Sequence, residues 1–312
     1  MATPAKDEEA TVMIPSPVVV GLDGSRESLA AAHWAAREAL RRDAPLRLVH
    51  AFEGLPESGT EGNLPELRAP RYFARRVLRT AVEELNEQYP RLYLAAEQVA
   101  RQPGPALLAE ADHAELLVLG SQGFGPVGGF LSGSVAMAVA AHAGRPVVMV
   151  RAGFTEKSDH LPAKGRGPSA DPPWRDVAVA LDMDGPGEDV LRFAFRSAEL
   201  RHAPLRVVHA WHVPLARGVV DAGERAQVKA TVDREVEELL SPWRRKFPGV
   251  PVTTVLHEGR AGHVLVRAAE GAGLLVVGRR GRRAAPGRPH TGPVAHALIH
   301  HVGCPVALVP HD

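Results

Sequence analysis

Short apolar runs alternate along this chain with longer stretches whose apolar residues recur at helical spacing. In the N-terminal half, "PVVVGLD", "LRLVHAF", "YLAAEQVA", "ELLVLG" and "PVVMVR" predict five strands. The stretches between them, of which "SRESLAAAHWAAREALRRD" and "RYFARRVLRTAVEELNEQY" are the longest, predict helices. In the second of these helices the stripe predicted to be buried is Tyr72, Val77, Leu78, Ala81, Val82 and Leu85. Apolar strands that alternate with helices indicate a parallel sheet covered on both faces.

The C-terminal half repeats this pattern. "RRDAPLRLVHAF" at 41–52 returns as "LRHAPLRVVHAW" at 200–211, and "GRPVVMV" at 144–150 returns as "GCPVALV" at 303–309, both at an offset of 159 residues. A period of this length indicates a duplicated domain. The predicted fold class is therefore α/β, with two tandem domains, each an open five-stranded parallel sheet of order 3-2-1-4-5 with helices on both faces. The expected boundaries are a flexible tail at 1–15, a first domain at 16–152, a linker at 153–173 and a second domain at 174–312.

The last strand of each copy, Pro146–Val150 and Pro305–Val309, is short and apolar. Exposed edge strands of this kind invite pairing. We therefore expect the two domains to pack together through these strands as an internal pseudo-dimer, and two chains to associate further as a homo-oligomer. Between the copies, 154–173 is polar, rich in Pro and Gly and without periodicity, which predicts a flexible linker.

Composition restricts the classes of protein that fit. The 312 residues are 45% hydrophobic and 23% charged with a formal net charge of +1, which gives no electrostatic reason to expect a nucleic acid or an anionic membrane as a partner. The single cysteine, Cys304, cannot form an internal disulfide, and this favours a reducing compartment. The N-terminus carries acids where a signal peptide needs an apolar core, and no apolar run approaches the roughly 18 residues of a membrane helix. We therefore expect a cytoplasmic protein.

The glycine-rich stretch "GSQGFGPVGGFLSGS", Gly120–Ser134, follows the fourth predicted strand. Ligands of open α/β sheets bind at the carboxyl ends of the strands, where the strand order reverses. Backbone N–H groups in such a loop form an anion-binding concavity, and the dipole of the helix that begins near Ser134 adds to it. The glycines are therefore expected to let phosphates approach the main chain.

Two familiar phosphate motifs do not fit this stretch. Gly123–Gly128 has the form G-x-G-x-x-G, but it follows the fourth strand instead of the first, and no acidic residue stands about 20 positions further on, where a ribose would need one. Gly128–Ser134 approaches a P-loop but lacks its lysine, which argues against fast phosphoryl transfer. The spacing that remains is G-x2-G-x9-G-S.

This spacing is accompanied by Asp23 at the end of the first strand and by the turn Val49-His50-Ala51 at the end of the second. With these features, both halves of the chain resemble the universal stress proteins in their tandem two-domain form, and G-x2-G-x9-G-[ST] resembles the signature of the ATP-binding branch. The resemblance implies a regulatory protein of stress adaptation that binds ATP, alone or with Mg²⁺, as a conformational ligand. It also implies an unidentified protein partner and assigns no catalytic residue.

The resemblance implies a role for each matching residue. The nucleotide-binding residues of the first domain would be Gly21, Asp23, Ala51, Leu119, Gly120, Gly123, Gly133, Ser134 and Val135. The first three would border the adenine, the next two the ribose, and the last four the phosphates. Asp23 would accept a hydrogen bond from the adenine amino group or the ribose. The corresponding site of the second domain, weaker in its match, would be Asp182, Ala210, Gly278, Gly281 and Gly292.

The second copy departs from the signature in its spacing. After Gly281, ten residues precede Gly292 where the signature has nine, and the next residue is Pro293 instead of Ser. Proline lacks both the backbone N–H and the hydroxyl that Ser134 offers. We therefore expect ATP to bind the first domain tightly and the second weakly or not at all. The cationic residues of the second loop, expected to form a solvated face or to attract an anion, are Arg279, Arg280, Arg282 and Arg283.

Simpler roles remain open for several residues. Asp23 would also serve to cap the first helix, as would Ser25 or Ser28, and the glycines would also suit a mobile surface loop. His50 and its repeat His209 fit packed histidines better than catalytic bases, because no nucleophile lies near either of them in a recognisable pattern.

A histidine-rich segment near the C-terminus suggests a metal at first sight. His296, His300 and Cys304 stand at spacings of four, but no carboxylate lies within the segment and the first copy has no comparable set, so no metal site is predicted. Two other functions remain open for the chain as a whole. One is a slow ATPase or nucleotidyl-transfer enzyme, and the other is an interaction scaffold that binds no nucleotide.

Overall fold

The structure, a computed structural model, describes residues 15–53, 65–122, 133–162, 173–185, 187–213, 222–280 and 291–311, with the backbone alone for 65–68. The strands are β1 (Val18–Gly21), β2 (Leu46–Phe52), β3 (Leu94–Ala100), β4 (Leu116–Ser121), β5 (Val147–Arg151), β6 (Val177–Ala180), β7 (Leu205–Trp211), β8 (Val252–Glu258), β9 (Leu274–Arg280) and β10 (Val306–His311). The helices are α1 (Arg26–Arg41), α2 (Pro65–Gln88), α3 (Pro103–Asp112), α4 (Ser134–His142), α5 (Glu188–Leu200), α6 (Ala222–Lys246), α7 (Ala261–Ala268) and α8 (Pro293–His301).

These ten strands form one sheet in the order β3-β2-β1-β4-β5-β10-β9-β6-β7-β8. Within each half all neighbours are parallel, and each half has the order 3-2-1-4-5, so the predicted fold class and strand order are confirmed. The strand order reverses between β1 and β4 in the first domain and between β6 and β9 in the second. Each reversal opens the carboxyl edge of the sheet to a ligand.

An antiparallel pairing of β5 with β10 joins the two domains. Val306 stands opposite Met149 and Leu308 opposite Val147, and these strand residues are buried. The predicted pairing of the last strands is therefore confirmed. Because each strand covers the other's edge, further association of chains needs a different surface.

Local sequence explains where the first helix begins. The Ser25 side chain accepts a hydrogen bond from the Ser28 backbone N–H at 3.1 Å, so Ser25 is the N-cap of α1, one of the two serines named from the sequence. In α2, Leu78 and Leu85 are buried as predicted, but Tyr72 is 68% exposed. Ala74 in the same turn is fully buried, so the buried face of α2 continues through this turn and Tyr72 lies beside it. The prediction for Tyr72 is wrong, because the residue that precedes Leu78 on the same helix face is the one four positions earlier.

The first part of the segment predicted to be a flexible linker, residues 154–162, packs against the first domain. It forms a short 3₁₀ helix that ends at Asp159, and this carboxylate is buried against α1, where Arg41 Nη2 donates to Asp159 Oδ2 at 3.3 Å. The Arg41 guanidinium also lies 4.6 Å from the ring centroid of Trp174, beyond the segment. Both ends of the segment are thus tied to the first helix, and 163–172 lie outside the described residues.

A buried ion cluster joins α1 to the end of α5. Glu38 is fully buried, and its carboxylate accepts hydrogen bonds from Arg42 Nε at 2.7 Å, from Arg41 Nη1 at 3.3 Å and from Arg201. Arg42 and Arg201 are equivalent positions of the two copies, whereas Ser197 takes the place of Glu38 in the second. One carboxylate therefore binds an arginine from each domain. Burial alone would raise the pKa of Glu38, but the three guanidinium groups hold it well below its usual range.

Candidate functional site

A cavity of about 400 Å³ lies at the carboxyl edge of the first domain, where the neighbouring strands β1 and β4 end and the strand order reverses. It is lined by eight of the nine residues that the sequence indicated in this domain, which are Gly21, Asp23, Ala51, Leu119, Gly120, Gly133, Ser134 and Val135. The ninth, Gly123, lies outside the described residues. Residues 114 positions apart in the chain thus meet at one edge, because the carboxyl ends of parallel strands lie side by side.

Helices α1 and α3 also contribute to this cavity, although the sequence pattern did not indicate them. The further lining residues are Leu22, Ser25, Glu27, Ser28, Val49, Pro103, Leu107, Gln122 and Ala136. Pro103 begins α3 directly after β3, and Leu107 lies one turn later. Proline is favoured in the first turn of a helix, so Pro103 could have indicated that α3 starts at this edge of the sheet and lines the cavity.

Asp23 organises the turn between β1 and α1. Its Oδ1 accepts hydrogen bonds from the Ser25 backbone N–H at 2.9 Å and from Ser25 Oγ at 2.5 Å. Asp23 therefore supports the capping residue of α1 and is not itself the cap. Burial alone would raise the pKa of Asp23, but the hydrogen bonds from Ser25 and Ser28 outweigh this effect and lower the pKa below its usual value. The carboxylate is therefore ionised at neutral pH. Its side chain is exposed at the cavity.

Helix α4 begins at the same cavity. Gly133 precedes it with φ 115° and ψ 10°, a conformation that favours glycine, and a Cβ added there would meet no described atom within 4 Å. Ser134 and Val135 follow, and N–H groups in the first turn of a helix have no partner within the helix. With the positive end of the helix dipole, they give the cavity an end suited to an anion.

Gly120 and Gly21 are explained by packing instead. A Cβ on Gly120 would lie 2.6 Å from the carbonyl carbon of Glu27, in the main chain of α1. A Cβ on Gly21 would lie 2.8 Å from Leu119 Cδ2. These two glycines let the ends of β4 and β1 approach their neighbours closely, so access of phosphates to the main chain is not needed to explain them.

Replacing Gly120 with Ala is expected to lower the free energy of unfolding by roughly 1–3 kcal/mol, the usual effect of overpacking. The cause is the contact with the backbone of α1, which cannot rotate away as a side chain would. Urea unfolding followed by circular dichroism measures the change. Gly104→Ala is the matched control, because a Cβ there meets no described atom within 4 Å, and no loss is expected. Equal stability of both variants would contradict the argument.

Of the two repeated histidines, His50 is buried, whereas His209 is partly buried and lines the second cavity. His209 Nδ1 lies 2.9 Å from the carbonyl oxygen of Leu181. His50 is buried, with its ring centroid 6.5 Å from that of Phe52 and 5.9 Å from that of Phe73. Burial lowers the pKa of His50, so its ring is neutral at pH 7. His50 therefore fits the packed role expected from the sequence, and the ring of His209 contacts a backbone carbonyl.

A second cavity, also of about 400 Å³, lies at the corresponding edge of the second domain. Its lining includes four of the five residues indicated by the sequence, which are Asp182, Ala210, Gly278 and Gly292. Gly281 lies outside the described residues. Pro293 is the first residue of α8, so this helix starts without the N–H group that Ser134 has in α4. Arg280 Nη2 lies 3.9 Å from Asp182 Oδ2, a long and exposed pair.

The second cavity has an imidazole where the first has a helical turn. Asp182 corresponds to Asp23, but α5 begins six residues after Asp182, whereas α1 begins three residues after Asp23. His311, the last residue of β10, fills the vacated space. A Cβ on Gly278 would lie 2.8 Å from His311 Nε2, and one on Gly187 would lie 2.9 Å from His311 Cβ. The two cavities therefore differ in a wall as well as in their loops.

Arg279 is not part of a solvated face. It is only 3% exposed, and its guanidinium reaches the first domain, where Nη1 donates to the Ala141 carbonyl at 3.0 Å and Nη2 donates to the Ala143 carbonyl. Arg280 is exposed, as expected, and 282–283 lie outside the described residues. Arg279 therefore differs from the exposed Arg280 beside it by a specific structural contact.

The histidine-rich segment packs its side chains against each other and against the protein interior. No group of three or more metal-ligating side chains occurs in the part of the chain that the structure describes. His296 and His300 have ring centroids 4.4 Å apart, and Cys304 is buried. Burial raises the pKa of the Cys304 thiol to about 12, so it stays protonated and unreactive.

None of the described helices has the length and apolarity required to cross a membrane.

Residues 16–151 and 173–310 each match the universal stress protein family. The Universal stress protein Rv2005c of Mycobacterium tuberculosis is 31% identical over 301 residues, which cover 93% of this chain and 96% of that protein. The Universal stress protein Rv2623 of the same organism is 29% identical over 275 residues, covering 85% of this chain and 86% of that protein.

A solved structure shows the same two-domain fold. A universal stress protein from Archaeoglobus fulgidus DSM 4304 matches with a TM-score of 0.67, covering 95% of this chain and 99% of its own, at 16% identity. At this identity the likeness shows the fold alone.

Proposed function

Because this chain belongs to the universal stress protein family, we propose that its first domain binds an adenine nucleotide, with ATP as a ligand that sets conformation or the choice of partner. The observation that carries the proposal is the first cavity, which brings together Gly120, Gly133 and Ser134 of the G-x2-G-x9-G-[ST] pattern at the start of α4. Its volume of about 400 Å³ lies within the usual range for small-molecule sites.

The chemistry of the lining favours one orientation of the ligand. Leu107 and Leu119 give an apolar wall for the base and sugar, beside the end of β2 at Ala51. The ionised Asp23 repels phosphates and accepts hydrogen bonds, so it belongs at the adenine or ribose end. The phosphates then lie at the N–H groups of Ser134 and Val135, with Mg²⁺ as their companion ion.

Regulatory binding suits this lining better than turnover. Among the described residues that line the first cavity, no lysine or arginine is present to neutralise a transferring phosphoryl group. A slow ATPase or nucleotidyl-transfer enzyme would release ADP or AMP in single-turnover assays. A scaffold without a ligand would bind no nucleotide at all.

The same proposal makes the two cavities unequal, with one ATP bound per chain in the first. Calorimetric titration of the full chain is expected to give a stoichiometry near one. Asp23→Asn keeps an acceptor for Ser25 while removing the charge, and it is expected to weaken binding. Asp182→Asn is its matched control and is expected to leave the affinity unchanged.

Two results of this titration would count against the proposal. A stoichiometry of two that is insensitive to Asp182→Asn would refute the inequality of the cavities. Absence of binding would refute the proposal that the chain binds an adenine nucleotide. Mass spectrometry of ligands released from denatured purified protein would then identify any other occupant.

The cellular compartment, the domain limits and the mode of association are proposed from the family membership and the fold. A single buried thiol suits the reducing cytoplasm. We take 16–152 and 174–312 as the functional domains, close to the two matched ranges. A homo-oligomer or a protein partner would have to use a surface other than β5 and β10, because those strands pair with each other.

A further inference from the structure

Helix α4 reaches from the first cavity to the second domain. Its first residues, Ser134 and Val135, line the cavity. At its other end, the carbonyl oxygens of Ala141 and Ala143 accept hydrogen bonds from Arg279 of the second domain. The last carbonyls of a helix have no partner within the helix, and a cation there also interacts favourably with the helix dipole. Arg279 therefore holds the end of α4 opposite the cavity.

Arg279 is buried, yet its hydrogen bonds within the described residues go to neutral groups. The side chain is 3% exposed, and the hydrogen bonds that it makes within the described residues go to carbonyl oxygens, with no carboxylate among them. A buried guanidinium without an anion is costly, and burial lowers the pKa of Arg279. Its position is therefore fixed by the few carbonyls that solvate it. The equivalent residue of the first domain, Ser121, cannot reach as far.

A similar contact runs in the opposite direction. Arg151, the last residue of β5, donates from Nη2 to the carbonyl of Ile299 at 3.1 Å, in the last turn of α8. Helix α8 begins at the second cavity, just as α4 begins at the first. Each domain thus contributes one arginine that contacts the C-terminal end of a helix in the other domain. The N-terminal end of that helix lies at the other domain's cavity. The two arginines come from different strands of the repeat, so duplication alone does not explain the pair.

We propose that Arg279 is a positioning residue of the first cavity. By fixing the end of α4, it keeps the N–H groups of Ser134 and Val135 where an anionic ligand meets them. The first cavity is therefore complete only when the second domain is docked against the first. The inference rests on the proposed nucleotide function for the identity of the ligand, whereas the restraint of α4 is independent of any ligand.

Two measurements on the full chain test the proposal. Calorimetry with ATP is expected to show affinity on the order of tenfold weaker in Arg279→Met, within the range that single coupling residues produce. Arg279→Lys keeps the charge and is expected to recover part of the loss, and it replaces the Met variant if that variant fails to fold. Hydrogen exchange of the amides of α4 in the ligand-free protein is expected to be faster in Arg279→Met than in the wild type.

Arg206→Met is the matched control for these measurements. Arg206 Nη1 donates to the Ala268 carbonyl at 2.6 Å, in the last turn of α7, and its Nε donates to Asp176 Oδ2 at 2.5 Å. Arg206→Met therefore removes a contact with a helix end together with an ion pair, on a helix that does not reach the first cavity. Neither the ATP affinity nor the exchange of α4 is expected to change in this variant.

The outcomes separate this inference from the proposed function. Wild-type affinity and exchange in Arg279→Met would overturn the inference and leave nucleotide binding in place. Faster exchange of α4 in that variant alone, in a chain that binds no ATP, would support the positioning of α4 and refute the nucleotide. Faster exchange throughout the chain, matched by Arg206→Met, would show general destabilisation and overturn the inference.

Discussion

Replacing Glu38 with Gln is expected to lower the free energy of unfolding by about 3–5 kcal/mol, the usual loss when one partner of a buried ion pair is removed. The neutral amide would face Arg41, Arg42 and Arg201, and its NH₂ group would oppose guanidinium donors where an oxygen now accepts. Chemical denaturation at pH 7 measures the change. Glu83→Gln is the matched control, because Glu83 belongs to an exposed pair with Arg79 at 3.9 Å and such pairs contribute under about 1 kcal/mol.

The same cluster predicts a dependence of stability on pH. The folded state keeps Glu38 ionised, whereas the unfolded chain takes up a proton below a pKa of about 4.5. The stabilisation from Glu38 is therefore complete above that pH and is lost as the pH falls toward the lower pKa of the folded state. The stability difference between the wild type and Glu38→Gln is expected to shrink from pH 7 to pH 3. A difference that stays constant or grows would show that the carboxyl group is not held ionised.

Gly133→Asp is expected to remove the stabilisation that ATP gives the wild type, about 2.7 kcal/mol when ATP is at 100 times its dissociation constant. A Cβ at this position meets no described atom within 4 Å, so the added carboxylate would lie beside the N–H groups of Ser134 and Val135 and repel phosphates there. Thermal unfolding with and without ATP gives the difference for each variant, so any loss of intrinsic stability cancels.

Gly133→Asn is the matched control for this prediction. Asn has the same shape as Asp without the charge, and it tolerates a positive φ better than most residues. It is expected to keep part of the shift produced by ATP. An undiminished shift in Gly133→Asp would place the phosphates elsewhere in the cavity, and equal losses in both variants would assign the effect to shape instead of charge.

The sequence predicted the site because its signals are local. Apolar runs bounded by turns identify strands, and the repeat at an offset of 159 residues fixes two domains. Once the strand order is known, residues such as Asp23 and Gly133, which follow different strands, must meet at one edge. Eight of the nine positions indicated in the first domain line one cavity for this reason.

Tertiary structure decided what each residue does there. Gly120 is needed because α1 passes within contact distance of it, and no local pattern contains that distance. His311 enters the second cavity from the last strand, more than 120 residues beyond Gly187. Such contacts depend on how whole elements pack, which the local periodicity of a sequence does not specify.

The arginines show the same division most clearly. Composition and spacing marked Arg279 and Arg280 as one cationic group, and the expected solvated face describes only the second. Glu38 and Arg201 are separated by 163 residues, and Arg279 and Ala141 by 138. The sequence by itself determined two similar domains and the edges where their cavities lie. Only the folded chain decided which charges the pairing of β5 with β10 would bury, because a buried charge is selected by the partners that surround it and not by its neighbours in the chain.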